Sequence, residues 1–251
     1  MFDTPAPAIG EHDLMRASAF RRYLADEARA GAEPTASRLS TLSPSLLLDL
    51  MRFEHEGQGS GLLEVLAASI RHARRLLVHL QARDRVLPLT LFPVERLVHS
   101  PVPLPELLAL PLDELQVLHV EPALLRPPGD RVGALVGEAA QYHPLPALCW
   151  EVALRGVRAE LLPEIAGQAA YRIAPGADLH LPAPGGSLGE AAARLRREPT
   201  RADDIARWPG FDDDRARRLL NGLYLQAALI VSRAHPAATN DGWRGSDALP
   251  G

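Results

Sequence analysis

Residues 200–233 read TRADDIARWPGFDDDRARRLLNGLYLQAALIVSR, and the pattern in this stretch decides how the fold is read. Trp208-Pro209-Gly210-Phe211 is a turn. Asp212, directly behind it, is placed to cap a helix, and Ala216, Leu219, Leu220, Leu223, Tyr224 and Ala227 then recur at the i, i+3, i+4, i+7 spacing of one buried face. Leu229 to Arg233 has the composition of a short strand. Helix, turn, helix and strand in that order outline a winged-helix-like unit, here bounded at residues 187–236.

Upstream, residues 174–186 are rich in proline and glycine and read as a linker. Before them, residues 157–173 suggest a hairpin turning at Ala166-Gly167, and residues 133–142 and 145–155 suggest two helices. Pro127-Pro128-Gly129-Asp130 is the strongest break in the middle of the chain. Ahead of that break lies an antiparallel meander: Leu76 to Leu80, a polar turn at residues 82–85, Val86 to Phe92, then Arg96 to His99. Pro88 within it is expected at an edge or bulge, because proline has no N–H to give a ladder. Leu104 to Leu112 reads as a short helix and Leu115 to Glu121 as a further strand.

Toward the N-terminus, residues 61–73 fit a helix better than a strand. Ser43-Pro44 opens another helix, carrying Leu46, Leu47, Leu50 and Met51, with serine as cap and proline at the first helical position. Residues 11–30 place Leu14, Met15, Ala17, Phe20, Tyr23 and Leu24 on one side of an amphipathic helix that needs a covering surface. The expected division is therefore a leader and helix at 1–38, an α+β domain at 39–130, a helix-hairpin segment at 131–186, the winged-helix-like unit at 187–236 and a disordered tail at 237–251. The fold class is α+β, a mixed helix and antiparallel meander domain followed by a winged-helix-like unit.

Composition narrows the chemistry. The chain has 251 residues, 47% hydrophobic and 23% charged, and all 27 of its lysine-plus-arginine cations are arginine. The absence of lysine removes a phosphate-loop lysine, a Schiff-base lysine and a lysine general base. A formal net charge of -4 argues against a generally basic nucleic-acid coat and leaves only a local patch for that role. The single cysteine, Cys149, cannot pair within the chain and sits in an apolar run, as expected of a buried structural thiol. There is no signal-peptide pattern and no apolar run long enough to cross a bilayer, so a cytoplasmic location without membrane insertion is expected.

Two constellations carry chemical expectations. His79, His99 and His119 stand twenty residues apart in similar apolar frames; if neighbouring strands brought them together, three imidazoles would suit zinc or iron. On the last helix, Arg215, Arg217, Arg218, Asn221 and Gln226 fall on the side away from the apolar stripe. There they would contact a protein partner's carboxylates or, in the alternative, phosphates and base edges. Asp212, Asp213 and Asp214 sit in the turn a recognition helix presents to DNA, and would repel phosphate. No catalytic set and no cofactor are expected.

Ser43-Pro44-Ser45-Leu46-Leu47-Leu48-Asp49-Leu50-Met51, Gly59-Ser60-Gly61-Leu62-Leu63-Glu64-Val65, and Leu89-Thr90-Leu91-Phe92 leading to Arg96-Leu97-Val98-His99-Ser100 follow one another over residues 39–120. This succession resembles the PATAN-type bacterial regulatory domain, and residues 200–232 look like the degenerate winged helix that often accompanies it. The chain departs from that pattern at Glu95, where a glycine usually precedes the last strand, and in a longer helical stretch around residues 67–75. The resemblance implies a non-catalytic adaptor in bacterial signalling whose partners are other regulatory proteins. It carries over no functional residues.

Overall fold

The computed structural model describes residues 14–29, 44–46, 48–49, 61–129, 136–181 and 185–239. The leader at 1–10, most of the helix expected after Ser43, and residues 240–251 of the tail lie outside the described residues. The chain forms two compact units, Met1–Arg158 and Ala159–Gly251. This division differs from the expected one: residues 131–186 are no separate segment, because their helix joins the first unit and their strand the second.

The first unit is built on a five-stranded antiparallel sheet. Its strands are β1 (Leu76–Ala82), β2 (Arg85–Phe92), β3 (Leu97–His99), β4 (Gln116–Pro122) and β5 (Tyr142–Pro144), in the order β4-β1-β2-β3-β5. The meander is as the sequence suggests, with the turn at Arg83-Asp84. Alternation sets its faces: Leu76, Val78 and Leu80 oppose Leu91, Leu89 and Leu87 across the β1–β2 ladder, and all six are fully buried.

Among the described residues, the helices of this unit include α1 (Ala17–Arg29), α2 (Leu62–Arg71), α3 (Leu104–Leu108) and α4 (Leu145–Arg155), and residues 44–46 and 48–49 are helical as well. α4 packs against α2, α3 and β3 and contributes Leu148, Trp150 and Ala153 to the core. α1 is shorter than expected because Leu14 to Arg16 are extended. Arg16 bridges Arg85, and Val86 N donates to Met15 O at 2.8 Å.

That same bond explains Pro88. Val86 N points away from β1, so Pro88, two residues along, turns its nitrogen the same way, and β3 begins pairing only at Thr90. The proline lies in a central strand but where the ladder asks it for no donor. The irregularity falls instead in the β1–β4 ladder, between His79 and Leu80.

One expected helix is corrected. Of the described residues 136–142, only Ala139–Gln141 form a helical turn, of the 3-10 kind, and Tyr142 begins β5. Tyr142 is held extended by its ring, 5.8 Å from that of Phe92, and by its hydroxyl, which donates to Arg126 O at 2.6 Å and accepts from Gly137 N at 2.9 Å.

The second unit contains β6 (Ala170–Ile173), α5 (Gly186–Leu195), α6 (Ala202–Ile205), α7 (Asp213–Leu225), β7 (Leu229–Ser232) and α8 (Pro236–Thr239). β6 and β7 pair antiparallel, and Thr200 bridges Tyr171 on β6. The expected hairpin at 157–173 is not formed: β6 takes β7 as its partner. The segment before β6 is anchored by side chains, with Leu162 and Ile165 buried, Tyr171 Oη donating to Ile165 O at 2.6 Å, and Arg233 donating to Glu164 O and Ala166 O. Around them Ile173, Leu195, Ile205, Ala216, Leu219, Leu220 and Leu223 form a fully buried core. The strand beside β7 thus precedes α5 in the chain.

Candidate functional site

The contact face expected on α7 begins at the helix's N-terminal cap. Asp212 caps the helix as expected, its Oδ1 accepting from Arg215 N at 2.8 Å, with Asp213 and Asp214 in the first turn. Carboxylates here complement the positive end of the helix dipole. They also set the charge of the tip that would enter a groove.

The cations behind them are engaged within the unit. Arg215 donates from Nη1 to Gly210 O at 2.7 Å and from Nη2 to Ser187 Oγ at 2.8 Å, while its guanidinium lies 5.1 Å from the Phe211 ring centroid. Arg218 donates from Nε to Asp214 Oδ2 at 2.7 Å, one turn back. Arg217 stands 3.7 Å from Glu160 Oε1. Arg215 joins the α6–α7 turn to the start of α5, so removing it loosens that junction.

Asn221 is corrected outright. It is 0% exposed, accepts from Leu162 N at 3.0 Å and donates from Nδ2 to Glu160 O at 2.9 Å. The chain before β6 returns along α7 and covers the position that the helical wheel left open. Gln226, placed on the same side, is buried as well.

Beside Arg215 lies a cleft of about 100 Å³ that sequence reasoning did not identify as a site. Ser187, Glu190, Ala191 and Arg194 of α5 form one wall; Trp208, Pro209 and Phe211 of the turn form the other. The two aromatic rings meet edge to face, 6.4 Å apart at 85°. Arg194 lies 4.6 Å from the Trp208 ring centroid and donates from Nε to Glu198 Oε1 at 2.8 Å. Its signal was already in the sequence: Trp208 and Phe211 flank a Pro-Gly turn three residues apart, a spacing read only as a turn. An apolar floor edged by guanidinium and carboxylate suits a side chain with an apolar body and a polar end.

The three histidines do not converge. His79 and His119 are cross-strand neighbours with ring centroids 5.9 Å apart. His99 is on β3, beyond β2, which at the spacing of adjacent strands puts its backbone roughly 10 Å from that of His79, too far for one ion to gather all three. Its Nε2 lies 2.9 Å from Gln141 Oε1, and its ring packs against Tyr142 at 5.0 Å. Among the described residues no three histidine, cysteine, aspartate or glutamate side chains are grouped to hold a metal ion.

Burial, reinforced by the charge of His119, pushes His79 down to about 4. Burial also lowers His99, against the opposing Gln141 hydrogen bond, and lowers His143, helped by His99. Cys149 is fully buried and its thiol is pushed up to about 12 by burial, which leaves almost no thiolate at neutral pH. Among the described residues no helix is long and apolar enough to cross a membrane.

The chain matches no protein-family model, no curated protein and no solved structure.

Proposed function

We propose that this chain is a non-catalytic protein-interaction adaptor of a bacterial regulatory system, and that the cleft between α5 and the 208–211 turn is its contact site. The observation that carries the reading is the engagement of Arg215 with Gly210, Ser187 and Phe211. A cation spent on joining two elements of its own unit is a poor phosphate ligand. The three aspartates at the tip of α7 further oppose duplex DNA.

What the same geometry builds is a firm aromatic cleft with charge at its rim. Tryptophan and arginine dominate the energetics of protein contacts because they combine large apolar area with directional polar groups. The resemblance of residues 39–120 to PATAN-type domains supports the same reading and the expectation that the partner is another regulatory protein.

The test has two arms, both on the full chain. In the first, a fluorescent duplex of about 20 base pairs is titrated at low and then moderate salt; no saturable binding is expected. Saturable, salt-sensitive binding that disappears in Arg217→Ala/Arg218→Ala would replace the adaptor with a DNA-binding regulator. In the second, a photo-crosslinking amino acid at Glu190 is irradiated in cells making the protein. A discrete protein adduct, reduced in Arg194→Glu, is expected; labelling no stronger than from the exposed position Val157 of the first unit would remove the cleft as the contact.

A further inference from the structure

The reverse face of the first unit's sheet carries a small apolar cluster of its own. Ala17 and Phe20 of α1 and Val86 of β2 are buried together, with Leu24 and Leu118 packed against them. In its middle the Phe20 ring lies 4.6 Å from the His79 imidazole, whose other neighbour is His119 at 5.9 Å. His79 Nδ1 is buried and has no hydrogen-bond partner among the described residues. The rest of the attachment is modest: Ala17 N to Asp84 O at 2.8 Å, Arg85 Nη1 to Leu14 O at 2.8 Å and Arg21 Nη2 to Gln81 Oε1 at 2.6 Å, beside the Met15 bond.

We propose that α1 is a proton-operated latch, in which the Phe20 ring seals a neutral His79 against the sheet and protonation of His79 lifts the helix off the β1–β2–β4 surface. The imidazole is stacked, half-covered and beside a second histidine, and a partnerless buried Nδ1 is a place where a cation is poorly accommodated. With α1 displaced, water reaches both ring nitrogens and the charged form is restored. Proton uptake and helix release are therefore one linked event.

The charged and titratable groups on the elements around His79 are Arg16 just before α1, Arg21, Arg22, Tyr23, Asp26, Glu27 and Arg29 on α1, Arg83, Asp84 and Arg85 at the β1–β2 turn, and His119 and Glu121 on β4. His119 opposes a second positive charge on the same face and strengthens the response. Between the ordinary value of 6.5 and the buried value of about 4, the released form takes up a proton that the latched form refuses. From pH 7.5 to 5.5 the opening constant of α1 is expected to rise about fivefold, allowing for the partial exposure of the ring. This inference is independent of the cleft in the second unit.

The experiment is hydrogen exchange on the full chain at pH 7.5, 6.5 and 5.5, corrected for intrinsic exchange rates, comparing wild type with His79→Leu. Expected is a severalfold loss of protection confined to α1 in wild type as pH falls, absent in His79→Leu. Unchanged α1 protection in wild type, or the same pH response in His79→Leu, would overturn the latch. Because the variant replaces a packed ring, an NMR titration of the His79 ring in wild type is the second readout. A midpoint well below 6 is expected, and one near 6.5 would show that Phe20 does not seal the ring.

Discussion

Asn221, in the middle of α7, holds the backbone of the segment before β6 at two points: its Oδ1 accepts from Leu162 N and its Nδ2 donates to Glu160 O. Both atoms of one buried amide are thus spent on a strand of chain with no ladder of its own. Asn221→Ala leaves the Leu162 amide without its partner in a buried setting, and should cost about 2 to 3 kcal/mol. In thermal unfolding that is a fall of roughly 10 °C for a unit of this size. Asn221→Asp keeps the acceptor but loses the donor and buries a charge, so it should not rescue. A change of less than a degree in Asn221→Ala would show that the clasp contributes little.

The contrast between Asn221 and Asp212 shows what was legible in the sequence. A cap is decided within four residues, so Asp212 was readable from its place before an apolar period. Whether Asn221 faces water depends on where Leu162 runs, sixty residues earlier, and no local pattern encodes that. The same division holds elsewhere. The β1–β2 hairpin follows from alternation and a polar turn, and α4 follows from its proline-led start. The β6–β7 pairing is non-local, and the intervening helices could not announce it. Tyr142 falls at the end of an expected helix, but its partners are Phe92, Arg126 and Gly137, and no local pattern encodes them. The cleft was half visible: the Trp208-Pro209-Gly210-Phe211 turn is in the sequence, and the wall from α5 is not.

Two helices end in the same backbone motif with alanine where glycine is favoured. After α7, Ala228 N donates to Leu223 O and Ala227 N to Tyr224 O, with Ala227 at φ 53. After α2, Arg74 N donates to Ser69 O and Ala73 N to Ile70 O, with Ala73 at φ 50. Both are Schellman closures, which require a left-handed residue. Glycine removes the Cβ conflict there, at some cost in unfolded-chain entropy. Ala227→Gly and Ala73→Gly should each stabilise by about 0.5 to 1 kcal/mol, measurable as a higher urea midpoint with an unchanged slope. Destabilisation by either would mean that the alanine methyl is needed for packing.

Arg215 acts as a fork, and its replacement separates shape from charge. Its two terminal nitrogens reach Gly210 O and Ser187 Oγ while the guanidinium plane lies by Phe211. Lysine keeps the charge but supplies a single point donor and no plane. Arg215→Lys should therefore behave much as Arg215→Ala does, each losing about 1 kcal/mol because the side chain is exposed. Both should shift the Trp208 indole resonance in NMR spectra. Full retention of stability and of that resonance in Arg215→Lys would reduce Arg215 to a surface charge.

Three histidines of the first unit fix the sign of its pH dependence. His79, His99 and His143 are all lowered, chiefly by burial, from 6.5. The folded unit holds them neutral while the unfolded chain takes up protons as pH falls through 6.5. Stability is therefore full above that value and declines below it, with His79 contributing to the slope until about 4. Asp49 adds a loss at still lower pH. Burial works to raise it, but the His72 and Arg71 contacts outweigh that and leave it below 3.8, so it too stabilises less once protonated. Urea unfolding at pH 7.5, 6.5, 5.5 and 4.5, followed through Trp150 with Trp208 and Trp243 replaced by phenylalanine, should give a midpoint that is highest at pH 7.5 and falls at each step. His143→Leu should flatten part of that fall. A midpoint that rises between pH 6.5 and 4.5 would require these imidazoles to be charged in the folded unit, against their burial.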